Sequence, residues 1–169
     1  FEGSSFIAGA AIQFLRDQFT LLSSAKESMG IAEAVEAAPH LIFVPALAGL
    51  GAPYWNPDAR GAFLGMTRGT SKAQIIRAAL EGIAFQVNDL IGVMVADLKE
   101  NLKVLRVDGG ATSNNMLMQM QANYSRVTVD RPRHLETTAF GAAMFAGLGC
   151  GLYQSLDELQ AARVADTCF

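Results

Sequence analysis

A chain of 169 residues suffices for one core that buries about 70% of the extended surface, and leaves no room for a second complete domain. Hydrophobic residues make up 51% and charged residues 17%, with a mean hydropathy of +0.25, so either buried parallel strands or a face made for a partner must absorb the apolar side chains. A formal net charge of −3 and a pI near 5.3 supply no basic stripe, which excludes nucleic acid as the expected partner.

The chain opens at FEGSSF without an initiating methionine or a secretory signal, and closes at ADTCF. Both ends read as cut, so a fragment of a longer polypeptide is expected. Ser4 or Ser5 is the predicted cap of a helix running from Phe6 to about Leu22, with Ile7, Ala11, Ile12, Leu15 and Phe19 on one side. Residues 24–38 form a weaker helical stretch, interrupted by Gly30 and closed by Pro39. LIFVPAL, residues 41–47, suits a buried strand whose far end, at Pro45, is an edge or is already leaving the sheet.

Residues 48–60 have neither helical nor strand period and form a loop, predicted to be ordered because Tyr54 and Trp55 need packing. Arg60 is expected to tie it down. A short strand follows over 61–67. Ser71 and Gln74 then form a capping box worth about 1 kcal/mol at its N-cap. The helix it opens carries Ile76, Leu80, Ile83, Val87, Ile91, Met94 and Leu98 as one stripe, which makes it the main packing helix.

Val104, Leu105 and Val107 read as a buried strand that stops at Asp108, turns on Gly109 and Gly110, and re-enters a helix capped by Ser113. A glycine pair at a strand-to-helix turn lets backbone approach a phosphate or nucleotide, Gly110 contributing positive φ or simply no Cβ. Amides at the following helix start favour an anion by roughly 0.3 to 1 kcal/mol. An ordinary tight turn is the alternative. Asp108 reads as structural, bonding backbone amides. Met116, Met118 and Met120 read as core filler or a flexible contact surface.

Residues 126–132 alternate like a half-exposed strand, and Thr137 or Thr138 caps an apolar helix. The apolar run 139–153 contains four glycines and is shorter than the roughly 18 residues of a membrane span, so a tightly packed buried helix is expected. Gly141, Ala142, Ala143, Ala146 and Gly147 would let another backbone come close. A helix over 155–164 is the last predicted element. Cys150 and Cys168 are expected to be reduced thiols, and His40 and His134 lack metal-like spacing. Strands alternating with covering helices indicate an α/β domain, with ligands at the carboxyl ends of strands, where Asp108, Gly109 and Gly110 fall.

In this order, FIAGAAIQFLRD (6–17), GLGAPYWNPDARG (49–61), GAFLGMTRGTSKAQIIRAALEGIAFQ (61–86), VDGGATSNNMLMQMQ (107–121) and RPRHLETTAFGAAMFAGLGCG (131–151) resemble the C-terminal half of the glycerol kinases. These belong to the carbohydrate kinases that share the actin-like, ribonuclease-H-like ATPase fold. The resemblance covers nearly the whole chain, and PYWNPDARG is its most specific part. It implies an α/β domain with a mixed sheet flanked by helices. Residues 1–169 would be a single C-terminal nucleotide-binding domain of a two-domain cytoplasmic kinase.

The implied activity of the intact enzyme is transfer of the γ-phosphoryl group of ATP to glycerol, with Mg²⁺ balancing charge. A same-family kinase for another polyol or sugar, and a non-catalytic actin-like binding module, are the alternatives. The family's nucleotide contacts carry over to Gly9 and Gln13, four apart on one helix face, and to Gly110 and Asn114, whose amide offers donor and acceptor to an adenine edge or ribose. No catalytic residue and no metal ligand is assigned, because the family's phosphate-binding turn, glycerol-binding arginine and glutamate, and general-base aspartate lie ahead of the matched region. The fragment alone is therefore expected to be inactive. The implied partners are the N-terminal domain, glycerol and ATP; no membrane is implied, and self-association is left open. Residues 122–126 depart from the family pattern, so a different helix exit is expected there.

Overall fold

The computed structural model describes residues 5–169; the capping role expected of Ser4 lies outside the described residues. The first helix, α1 (Gly9–Asp17), is shorter at both ends than predicted, and Ala8 precedes it with no side-chain cap. Ser5 does not cap it, because its hydroxyl donates to the Gln86 amide oxygen (2.8 Å). At the other end Thr20 adopts left-handed backbone, φ 52°. The Thr20 and Leu21 N–H groups reach back to the carbonyls of Arg16 and Leu15 (3.1 and 3.0 Å), a reversal that ends the helix and returns Leu22 to the core.

The helical stretch predicted over 24–38 is a 3-10 turn (Ala25–Glu27) followed by the short α2 (Ser28–Glu33). Pro39 and Arg77 together limit it. The Val35 carbonyl could find no helical donor at residue 39, which is proline, and the Arg77 guanidinium donates to it instead (2.6 Å), and more distantly to the Ala32 carbonyl (3.4 Å).

Strands β1 (Ile42–Val44) and β2 (Ala62–Leu64) pair antiparallel with Phe43 opposite Phe63, their rings stacked at 4.5 Å. The expectation of a fully buried β1 is corrected: Phe43 is buried while Ile42 is half exposed, because only one face of this two-stranded sheet is covered. The covering element is α3 (Lys72–Leu98), which opens with the predicted capping box, Ser71 and Gln74 bonding each other's backbone N–H. Ile76, Leu80 and Ile83 are buried, and so is Ile91 farther along. Gly82 lies against the Phe43 carbonyl with no space for a Cβ, so β1 and α3 approach at glycine distance. By length and composition α3 would also cross a membrane; here its first half is the core of the fold.

The second sheet is mixed. Strand β3 (Val104–Arg106) runs parallel to β4 (Thr128–Pro132), with α4 (Asn115–Ser125) as the crossover between them. A last strand, β5 (Ala165–Cys168), pairs antiparallel on the far side of β4. Nothing in ADTC alternates, and this strand is absent from the sequence reading. It forms because β4 offers it an edge: Phe169 and Val129 exchange both backbone hydrogen bonds (3.0 and 3.1 Å). Leu15, Ile76, Leu80 and Val129 are the largest fully buried side chains, and Met118 and Met120 fill the core.

Helices α5 (Thr137–Gly149) and α6 (Leu156–Ala161) lie before β5. The expectation that α5 is tightly packed is overturned: only Gly147 is buried, receiving the Tyr153 ring, and Phe145 is 64% exposed. Its sequence is apolar on every side, so composition cannot say which side is covered. A chiefly apolar groove of about 920 Å³ separates α5 and α6 from α3 and β3.

Candidate nucleotide site

At the end of β3 the positive φ belongs to Gly109 (83°), not Gly110. The Gly109 N–H donates to the Leu135 carbonyl (2.9 Å), and its carbonyl accepts from the Thr112 hydroxyl (2.7 Å). Gly110 opens a 3-10 turn (Gly110–Ser113) instead of the α-helix itself. A Cβ built on Gly110 would meet no atom within 4 Å. Its glycine identity is thus not required by neighbouring protein atoms, and its open side faces outward.

Asn114, not Ser113, is the N-cap of α4: its Oδ1 accepts from the Leu117 N–H (3.0 Å). Its Nδ2 donates to the Ser28 hydroxyl of α2 (3.2 Å). The two bonds fix the amide plane while leaving one N–H and one oxygen lone pair for a further partner. Ser113 turns back to bond the Gly110 carbonyl (2.7 Å). Ser28 carries no sequence signal for this role, since a serine at a helix start reads only as a cap.

The start of α1 abuts this turn. A Cβ on Gly9 would sit 3.1 Å from the Ala111 Cβ, so the two segments touch because residue 9 has no side chain. Gln13, one helical turn later, is exposed. The structure thus sets Gly9 of α1 against the segment carrying Gly110 and Asn114, with Gln13 exposed farther along the same helix.

Two further tethers hold the turn. Asp108 accepts a short hydrogen bond from the Thr137 hydroxyl, which corrects two expectations: Asp108 does not bond backbone amides, and Thr137 does not cap α5. An exposed threonine hydroxyl one residue inside α5 reaches the carboxylate across the strand end instead. On the other side Arg131 donates to the Thr112 carbonyl (3.0 Å) and to Asn115 Oδ1 (2.7 Å). Asn115, the first residue of α4, thus serves as an acceptor that anchors the helix start to β4.

The loop of residues 48–60 is organised by Asn56, whose Oδ1 accepts from the Asp58 and Ala59 N–H groups, and by Arg60, which donates to the Pro57 and Ala59 carbonyls (both 2.9 Å). Arg60 ties the loop down as predicted. The packing role expected of the aromatic pair is not seen, since Trp55 is 72% exposed and Tyr54 55%. The Tyr54 hydroxyl donates to Asp89 (2.7 Å), which pushes its ionisation above the ordinary phenol range. Both cysteines are unpaired and exposed. No group of three His, Cys, Asp or Glu close enough to hold a metal occurs among the described residues. The 920 Å³ groove contains none of Gly9, Gln13, Gly110 or Asn114, although Asp108 and Thr137 line it. It marks uncovered apolar surface on α3 and α5.

Comparison with known proteins places these features in a family. Residues 1–150 match the profile of the C-terminal domain of the FGGY family of carbohydrate kinases. A glycerol kinase of Desulforamulus reducens is 54% identical over 158 residues, covering 94% of this chain and 32% of that protein. One from Acinetobacter baylyi is 50% identical over 168 residues, covering 99% and 34%. Among solved structures, Plasmodium falciparum glycerol kinase with ADP superposes with a TM-score of 0.85 at 38% identity, over 99% of this chain and 33% of that one. A ligand-bound xylulose kinase of Lactobacillus acidophilus does so with a TM-score of 0.80 at 27% identity, over 98% and 34%. The chain spans about a third of the length of the relatives it matches.

Proposed function

This chain belongs to the FGGY family of carbohydrate kinases, and from that footing we propose that it is the adenosine-binding C-terminal domain of a glycerol kinase. The observation that carries the reading is the contact of Gly9 with Ala111, which sets the start of α1 against the turn after β3 while Gly110 faces open space. Bare backbone at Gly110 forms the seat of the nucleoside, and Gly9 lets the start of α1 close up beside it. Gln13 and the remaining donor and acceptor of Asn114 bond its polar edges.

The phosphates run from this seat toward the N-terminal domain, the partner that supplies the rest of the site. In the overall reaction a primary hydroxyl oxygen of glycerol bonds to the γ-phosphorus as the bond to the β,γ-bridging oxygen breaks, giving ADP. The hydroxyl proton passes to a base outside this chain. The share of Gly9, Gln13, Gly110 and Asn114 is to bind and orient ATP, and closure of the two domains excludes water. Mg²⁺, when bound, offsets phosphate charge. A cytoplasmic location, where ATP is supplied, goes with this role.

The second reading, a kinase for another polyol or sugar, draws on the fold shared with the xylulose kinase. ADP release by the full-length protein with ATP and, separately, glycerol, xylulose or gluconate distinguishes the two. Glycerol-dependent release is expected, and release with xylulose or gluconate alone rejects the glycerol assignment.

A further inference from the structure

Arg131 lies on β4 and bonds none of the residues assigned to the nucleotide by family resemblance, yet it is the most heavily bonded side chain near the turn. Both Nη1 hydrogens are used on the turn side, by the Thr112 carbonyl (3.0 Å) and Asn115 Oδ1 (2.7 Å). Both Nη2 hydrogens are used on the β5 side, by Asp166 Oδ2 (2.9 Å) and the Thr167 hydroxyl (3.2 Å). The guanidinium also lies 5.2 Å from the centre of the Phe169 ring, and the side chain is only 11% exposed. With all four Nη hydrogens consumed inside the protein, Arg131 has only Nε left to offer a ligand.

A guanidinium is planar and rigid, so two acceptors on one edge and two on another fix the separation of the segments they belong to. One segment is β5. The other is the 3-10 turn that begins at Gly110 and leads into Asn114. We propose that Arg131 is a positioning residue for the nucleotide: it ties the turn bearing Gly110 and Asn114 to β5, so that the integrity of β5 sets the affinity for ATP without touching it. This rests on the reading that Gly110 and Asn114 hold the nucleoside. Asp166 strengthens the tie, since the Thr167 hydroxyl and then Arg131 keep its carboxyl below the usual aspartate range and hence charged.

The test is steady-state kinetics of the full-length kinase carrying this chain, with ATP and glycerol varied separately. Arg131→Met is expected to raise KM for ATP about tenfold, with kcat and KM for glycerol changed less than about twofold. Arg131→Lys keeps the charge but not the fork and falls between. Asp166→Asn, isosteric and at an exposed position, gives a rise of about two- to threefold and answers the question should Arg131→Met not fold. A residue that merely supports the fold would lower thermal stability and kcat without selecting ATP over glycerol, and that pattern overturns the proposal. Gly110→Val separates the two layers. If it raises KM for ATP while Arg131→Met and Asp166→Asn do not, the positioning role fails and the nucleotide site stands. If Gly110→Val has no effect, the site is misplaced and the proposal falls with it.

Discussion

Gly9→Val is the perturbation that bears most directly on the geometry. Any Cβ at residue 9 lies 3.1 Å from the Ala111 Cβ, roughly 0.5 Å short of the best carbon–carbon separation. Alanine brings one such close contact but gains about 0.5 to 1 kcal/mol of helix propensity, less at a first helical position. Gly9→Ala should therefore stay within about 0.5 kcal/mol of the parent. Valine adds two branches at a place already short of space, and overpacking of this kind costs about 1 to 3 kcal/mol. The wedge also parts α1 from the turn, so ATP affinity should fall together with stability. Urea denaturation and KM for ATP read the two effects. Adding Ala111→Gly to Gly9→Val removes the opposing methyl, and a double-mutant cycle should show a coupling of at least about 1 kcal/mol. A Gly9→Val variant as stable as the parent, or a coupling below about 0.3 kcal/mol, would refute the contact and with it the seat proposed for the nucleoside.

Three further outcomes are expected. Ser71→Ala removes one half of the capping box that opens α3 and should cost about 1 kcal/mol in urea denaturation; no change would mean that the start of α3 is held by packing alone. Arg126 ends α4 in left-handed backbone at φ 55°, where a side chain costs about 1 kcal/mol. Arg126→Gly should raise the melting temperature, and a fall would show that the arginine side chain contributes more than the backbone strain removes. The Asp166 carboxyl is held low by Thr167 and Arg131, so the stability it contributes is present above its unfolded value of about 3.9 and is lost as pH falls through the lower folded value. The stability difference between the parent and Asp166→Asn should be flat around neutrality and shrink in acid. A difference that grows as pH falls contradicts this.

Much of the site could be read from short-range signals. The Ser71 and Gln74 pair lies within one helical turn, and the structure forms it as the residue types require. Gly109 and Gly110 follow an apolar run, and the chain does turn there between strand and helix. The assignment of the cap to Ser113 instead of Asn114 missed by one residue, because both types cap equally well locally. Asn114 wins because its Nδ2 also reaches Ser28, 86 positions away.

The residue types and their spacing determined the α/β order, the long amphipathic α3 and the glycine turn, since each depends on interactions within a few residues. Tertiary structure alone decided what was covered and what was tied together. Strand β5 exists because β4 presents an edge, the exit of α2 is held by Arg77, which bonds the Val35 and Ala32 carbonyls from a distant helix, and α5 is exposed although its composition matches that of a buried helix. Apolar side chains record that a surface must be covered, but not by which surface. Likewise, Arg131 became the hub between β5 and the turn after β3 only once folding brought Thr112, Asn115, Asp166 and Thr167 within reach of one guanidinium.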